Sequence, residues 1–348
     1  MAASRFSPPA TPLLVGERYL PDDVLQRVLV GLPLDDHRAA ASVCKSFRGI
    51  ITGPRFFAAR RRYGFAERGV VTVFRGDGVL QIKTAHKGDI MATIPTDRLS
   101  YYSTTTDGGA RLFVCTKGRS PLPSAEGEGG IPGQILALDP SSRRWRRFAT
   151  LPQVRDLHCL MWHAGLLYVA GGISSSTGIP TNSFHVYSEA TGLWEELPPM
   201  LHACVWAASG VIGSELFIAD GEGLTTLQIY DIATRTWRVG AALPKPTMAA
   251  RGLVVDGKLA LLCQKGPMFV YDPGSELWTE RPVFWTEGRE LVDVCVHNDQ
   301  MFVFTRNGAV LKHDTDGYWT SGWSPGFGSV GVDGRGLIDF FSESVLLG

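Results

Sequence analysis

The chain has 348 residues, enough for about two domains at roughly 150 residues each, and 44% of them are hydrophobic, enough to bury a sizeable core. Lys plus Arg count 34 and Asp plus Glu count 34, so the overall field is near zero and the electrostatic footprint of a nucleic-acid binder is missing. Forty Gly and 21 Pro predict many turns, while six scattered Cys, with 31 residues between even the closest pair, leave no CxxC metal knuckle or short disulfide framework and fit a reducing compartment.

Residues 1–16 hold three Pro and few large side chains before Leu13 and read as a disordered arm. Leu13 to Val15 is far too short an apolar run for a signal peptide, and no segment approaches the ~18 to 20 apolar residues of a membrane span, so the cytosol or nucleus is the expected location. Residues 17–62 change to helical periodicity. Val24, Leu25, Val28 and Leu29 recur at helical spacing after Pro21 and Asp22, and Gly31 ends that helix. Asp35 and Asp36 can start a second helix carrying Ala39, Ala40 and Val43, and Thr52-Gly53-Pro54 stops a third carrying Phe47 and Ile50. Three helices make only a small core and leave apolar residues over for a partner. The Arg60-Arg61-Arg62 triplet reads as a solvated helix end, with a weak nuclear address or acidic-partner contact as the alternatives.

From residue 63 to 348 the period is that of strands. One phrase recurs, an apolar alternating run, a turn and a Trp, ending at Trp145, Trp194, Trp237, Trp278 and Trp319. In three copies the Trp follows six residues after an Asp: Asp139, Asp231 and Asp272. This predicts a hairpin with Trp on its second strand, and a second pair of apolar runs precedes each hairpin. Four strands per ~41 to 49 residues, five times over, must stack like the blades of a propeller. Residues 69–95 add three more strands, and the tail at 328–341 can supply the missing inner one. The expected fold is thus an all-β propeller of six blades, the sixth shared by both ends of the ring so that no sheet edge stays free. The long Gly/Pro/Ser-rich stretches 117–133 and 172–183 fall between second and third strands and are candidate binding loops.

Residues 20–57 resemble an F-box through Leu20-Pro21-Asp22-Asp23-Val24-Leu25, Leu32-Pro33, Ser42-Val43-Cys44-Lys45-Ser46-Phe47-Arg48 and Pro54 to Phe57; Phe47 stands where that family usually has Trp. Residues 98–325 resemble kelch repeats through Gly171-Gly172, the Tyr of the Val-Tyr-Asp phrase and the spaced Trp, with Asp220-Gly221, Lys265-Gly266 and Asn307-Gly308 as degenerate versions of the Gly pair. The resemblance to F-box/kelch-repeat proteins implies the substrate receptor of a cullin-type ubiquitin ligase, whose F-box binds a Skp-type adaptor while its propeller presents a target for ubiquitination. Carried onto this chain, adaptor contact falls to Leu20, Pro21, Val24, Leu25, Val28, Leu32, Pro33 and Val43. No catalytic residue, metal or cofactor is implied. A scaffold without ligase assembly is the first alternative, and a metal-dependent kelch enzyme the second.

Target binding is expected where the loop into the first strand and the loop between second and third strands meet. Counting back from the inner turns aligns Arg98, Arg155, Cys204, Thr247 and Arg289, with His202 and Lys245 nearby. Three aligned Arg could converge to grip an acidic or phosphorylated segment, as arginines at similar positions do in kelch-type ligase adaptors; alternatively they pair with Asp156, Glu287 and Glu290 at the rim. Arg98, Arg155, His202, Thr247 and Arg289 are the candidate target-binding residues. Arg143-Arg144-Trp145-Arg146-Arg147 has the aromatic and cationic pattern of a single-strand nucleic-acid reader but fits an exposed outer strand better. Glu290-x-x-Asp293-x-x-x-His297 is similar to the metal motif of plant kelch specifier proteins, one residue short between Glu and Asp; strand alternation puts Glu290 opposite to Asp293 and His297, so three ligands do not converge.

Overall fold

A computed structural model of the chain describes residues 13–15, 18–33, 36–51, 55–65, 68–76, 79–84, 90–95, 103–107, 111–115, 133–139, 144–219, 223–246, 249–263, 267–281, 291–297, 300–305, 310–313, 319–320 and 340–346. It divides into two compact units, Met1–Arg68 with Leu346–Gly348, and Gly69–Val345.

The first unit opens with a hairpin, β1 (Leu13–Val15) on β2 (Arg18–Leu20), and continues as four helices: α1 (Asp22–Val30), α2 (His37–Val43), α3 (Lys45–Ile51) and α4 (Phe56–Arg62). The sequence predicts three. The fourth forms because the chain, having passed Pro54, regains an uninterrupted Phe-Phe-Ala-Ala-Arg-Arg-Arg run of mostly good helix formers. Leu25, Leu29 and Val30 of α1 pack with Ile51 and Phe56 as a buried core, with Phe47 and Leu32 partly buried against it. Arg60 is not a solvated terminus. It is 1% exposed, and its Nη1 donates to the carbonyls of Val30 (2.8 Å) and Leu32 and lies 3.0 Å from His37 Nε2, while Nη2 donates to the Phe65 carbonyl (2.6 Å). The end of α1 leaves carbonyls without intrahelical partners, and this one guanidinium supplies the donors.

The second unit is all-β. Its strands are β3 (Arg68–Gly76), β4 (Val79–Thr84), β5 (Ile90–Pro95), β6 (Ser103–Thr106), β7 (Leu112–Cys115), β8 (Gln134–Asp139), β9 (Arg144–Thr150), β10 (Arg155–Asp156), β11 (Cys159–His163), β12 (Leu166–Ala170), β13 (Ile173–Ser174), β14 (Phe184–Ser188) and β15 (Leu193–Leu197). There follow β16 (Ala208–Ile212), β17 (Glu215–Ala219), β18 (Leu227–Asp231), β19 (Thr236–Val239), β20 (Ala249–Val255), β21 (Lys258–Cys263), β22 (Met268–Asp272), β23 (Leu277–Arg281), β24 (Leu291–His297), β25 (Gln300–Thr305), β26 (Val310–His313), β27 (Trp319–Thr320) and β28 (Phe340–Leu346). Among the described residues they form four-stranded meanders β6–β9, β11-β12-β14-β15, β16–β19, β20–β23 and β24–β27, and a sheet in the order β28-β3-β4-β5. First strands of consecutive meanders stand side by side, β6 by β11, β11 by β16, β16 by β20 and β20 by β24, which is the arrangement of a β-propeller. The C-terminal strand is described over Phe340–Leu346, and residues 328–339 of the expected stretch lie outside the described residues. Phe340, Phe341 and Val345 are of the aromatic and β-branched types that suit a strand.

The recurring phrase has a local cause. Asp231 Oδ1 accepts the N–H of Ala233 and of Thr234, and Asp272 Oδ1 that of Gly274, so the Asp closes an Asx turn. The last turn residue is left-handed, Gly192, Arg235 and Glu276 in successive sheets, and the Trp then falls opposite a Tyr: Tyr187 with Trp194, Tyr230 with Trp237, Tyr271 with Trp278. Two of these Trp also fasten their sheet to the one before, since Trp237 Nε1 donates to the Pro198 carbonyl (2.9 Å) and Trp278 Nε1 to that of Ala241 (2.8 Å). Around Trp145 the cations Arg144, Arg146 and Arg147 are exposed on β9, the outer-strand reading of that run. A further bond links strands three sheets apart: Arg251 of β20 donates to Thr104 Oγ1 of β6 (3.1 Å).

Candidate functional site

On the helical unit, α1 divides its side chains between core and solvent. Leu25 is 3% exposed and belongs to the core, which corrects its expected place in adaptor contact; its position at helical spacing from Leu29 turns it inward. Val24 and Val28, one turn apart, face the other way at 39% and 61%, and Val43 at the end of α2 is 67% exposed. Pro21 and Pro33 are exposed and Leu32 is half-buried; Leu20 ends β2, and its side chain lies outside the described residues. The module thus shows solvent an apolar stripe that its own core does not need.

On the propeller, the connections into the first strands and the loops between second and third strands lie on one face. They meet at Gly171-Gly172. Gly171 (φ 64°) donates its N–H to the Ser183 carbonyl, and Gly172 (φ 93°) to the Cys204 carbonyl at 2.8 Å. A Cβ on Gly171 would stand 2.7 Å from the Cys204 carbonyl oxygen, and one on Gly172 would overlap the Asp156 carbonyl. The Gly pair is therefore the point where three loops cross at backbone contact.

Arg155 lies beneath that crossing. The sequence expectation exposes it to grip a target; in the structure it is 2% exposed and turned into its own sheet. Its Nη1 donates to Ser183 Oγ (2.5 Å) and the Ser183 carbonyl (3.2 Å), its Nε to the Gln153 carbonyl (3.2 Å), and its Nη2 to Gln153 Oε1 (3.1 Å) and toward His185 Nδ1 (3.4 Å). The physical reason is the set of acceptors that converges there: β10 is paired with β13, and the guanidinium finds Gln153, Ser183 and His185 within reach. Neither Asp156 nor any other carboxylate appears among these bonds. Burial pulls the guanidinium pKa down and, with the Arg155 cation, pulls that of His185 down as well.

His202 is exposed in the neighbouring connection, with its backbone held at both N–H and carbonyl by the Gln228 side chain (2.9 and 3.2 Å). Lys245 pairs with Glu280 (3.0 Å) at the rim. Cys204 is buried. Arg98, Thr247 and Arg289 lie outside the described residues, as do the 117–132 stretch, Glu290 and the side chains of Asp293 and His297. Of the aligned set, the structure brings Arg155 and Cys204 together through the Gly pair. Sequence reasoning passes over His158, Ile179 and Trp206. Trp206 carries a legible signal, a Trp that stands outside the repeated phrase.

His158 has a pH consequence. It is buried, and among the described residues neither ring nitrogen reaches a hydrogen-bond partner. Burial first, then the Arg155 cation, push its pKa down to about 3 against 6.5 for the free group, the Arg155 backbone opposing. Between these values the unfolded chain binds a proton that the folded chain refuses, so stability falls as pH drops from about 6.5, by up to ~1.4 kcal/mol per unit for this group. His158→Gln is expected to flatten the fall of melting temperature between about pH 6.5 and 4.5; an identical slope in the variant would assign the acid sensitivity to other groups.

Comparison with known proteins defines the class. The F-box domain family matches residues 19–58 and the kelch motif family residues 162–201. An F-box joined to a kelch propeller is the make-up of an F-box protein of the substrate-receptor type. The chain is similar to a protein of Arabidopsis thaliana that carries the name F-box/kelch-repeat protein, at 24% identity over 321 residues, covering 88% of this chain and 89% of the relative. It is also similar to the F-box protein AFR of Arabidopsis thaliana, 25% identical over 85% of this chain and 69% of that one, and, over 35% of this chain and 21% of the relative, to human kelch-like protein 34 at 28% identity. F-box/kelch-repeat relatives thus span most of the chain.

Proposed function

We propose that this chain is the substrate-receptor subunit of a Skp-cullin-F-box type ubiquitin ligase in the cytosol or nucleus, non-catalytic itself, its F-box docked on a Skp-type adaptor and its propeller holding a target for ubiquitination and degradation. The observation that carries the reading is the exposed stripe of Val24 and Val28 on α1, with exposed Val43 at the end of α2, on an F-box whose core is already closed by Leu25, Leu29, Val30, Ile51 and Phe56. Pro21, Leu32 and Pro33 flank the stripe in sequence, and Leu20 joins them as a proposed contact. The propeller is proposed as a six-bladed ring whose last blade combines β28 with β3, β4 and β5. The order of that sheet supports this, and so does the Arg251 to Thr104 bond, since strands of the first and fourth blades face each other across a ring of six. In cells, a tagged chain is expected to bring down both adaptor and cullin, and proteasome inhibition to raise the amount of co-purified target. Target recovered without adaptor or cullin would place the chain as a scaffold instead.

A further inference from the structure

The propeller face built around Gly171-Gly172 carries apolar side chains that its fold does not consume. Ile179 in the β12–β14 loop is 63% exposed, Leu201 and Trp206 in the β15–β16 connection are 44% exposed each, and Leu224 in the β17–β18 loop is 50% exposed. The first two segments form one bonded unit: the Gly172 N–H donates to the Cys204 carbonyl (2.8 Å) and the Met200 N–H to the Asn182 carbonyl (2.9 Å).

Trp206 is held in place by its backbone. Its φ is 53°, a conformation rare for a bulky residue, fixed by its N–H donating to the Leu157 carbonyl (3.1 Å). Leu157 makes the same left-handed turn one sheet earlier at φ 56° and is half-buried. The turn therefore belongs to the repeat, whereas an exposed indole on it does not help the turn form. Scattered exposed apolar residues need no explanation, but four on the loops of two adjacent sheets, all on one face, do.

The charge of this surface limits what it can hold. Residues 172–183 and 199–207 contain no Lys, Arg, Asp or Glu, and the β17–β18 connection that carries Leu224 adds Asp220 and Glu222 but no Lys or Arg. Arg155 beneath them is 2% exposed, with its donors directed at Gln153, Ser183 and His185. An acidic or phosphorylated segment laid on these loops would lose hydration with no exposed guanidinium among their described residues to replace it. Exposed Ser175, Ser176 and Asn182 instead give a polar, uncharged rim around an apolar centre.

We infer that this face docks an uncharged segment of the target through an apolar anchor side chain of the Leu, Phe or Trp kind, seated against Trp206 and Ile179. This deepens, and rests on, the reading of the chain as a ligase substrate receptor. The test uses the full chain bound to a Skp-type adaptor and selects against it a phage-displayed library of random short linear peptides, with a synthetic phosphoserine peptide assayed beside the winners. The selected peptides are expected to be uncharged with a large apolar residue in common, and Trp206→Ala or Ile179→Ser to weaken them about tenfold. Both side chains are exposed, so an unchanged melting temperature certifies the fold, and Leu193→Ser on the outer strand β15 is expected to leave binding intact. Selection of acidic peptides, tighter binding of the phosphopeptide, failure to select any peptide, or unchanged binding by Trp206→Ala would overturn the inference. Self-association of the chain that Trp206→Ala abolishes would also overturn it, by making a second copy the occupant. Adaptor binding is read on the same samples: its absence with peptides still bound removes the receptor reading alone, and its presence with no peptide selected removes this surface alone.

Discussion

Arg60→Met is expected to unfold the F-box while the propeller stays folded. The substitution keeps much of the side-chain volume but leaves the carbonyls of Val30, Leu32 and Phe65 without the donors that Arg60 supplies in a 1% exposed site. Stranding buried acceptors costs ~1 to 3 kcal/mol each, and dismantling a buried charged network ~3 to 5 kcal/mol. A module of this size, stabilised by one small core, has only a few kcal/mol in reserve. The two units have separate cores, so near-ultraviolet signals from the propeller Trp residues should persist while helical signal falls and residues 18–65 become open to protease. Arg60→Lys restores a charge but not a fork that reaches several carbonyls, and is expected to fall between. A variant Arg60→Met with wild-type helical signal and protease resistance would show that the network is incidental.

Gly172→Ala is expected to cost the propeller about 4 kcal/mol or more, in the class of effects that arise from forced backbone displacement. Two penalties combine. The residue sits at φ 93°, outside what an L side chain readily adopts, and the added Cβ would overlap the Asp156 carbonyl and stand 2.9 Å from His158 Cβ. Relief would require β10 and the Arg155 cluster beneath it to move together. Gly178 separates the two penalties, because it too is left-handed (φ 67°) but an added methyl there would meet nothing within 4 Å. Gly178→Ala should therefore lose only ~1 to 2 kcal/mol. Thermal unfolding of the pair checks this, and equal shifts would mean that the crossing of loops at Gly172 is loose.

The legible parts of this chain are those written in local chemistry. The Asp, turn and Trp phrase arises from an Asx turn, a left-handed residue and an aromatic pair, all within a few residues, so periodicity alone could reveal it. Repeat arithmetic aligns Arg155 with Cys204, and in the structure each stands two residues before a left-handed residue, Leu157 and Trp206. What periodicity could not reveal is environment. Arg155 and Arg60 look like surface cations in sequence because their acceptors are backbone carbonyls and uncharged side chains rather than carboxylates, and no composition marks these. The same limit applies to Leu25 against Val28: both are apolar and three residues apart, and which one faces the core depends on where α3 and α4 pack. The fourth helix was hidden by Pro54, which interrupts the pattern without deciding the structure of the residues beyond it.

Calorimetric titration of a Skp-type adaptor into the full chain tests most directly whether the apolar stripe on the F-box is an adaptor-binding surface. The wild-type chain should bind with one-to-one stoichiometry. Val28→Asp, which places a carboxylate at a 61% exposed position, should abolish binding with little change in melting temperature, because it buries a charge only in the complex. No binding by the wild type, or equal binding by wild type and Val28→Asp, would contradict adaptor docking on this stripe.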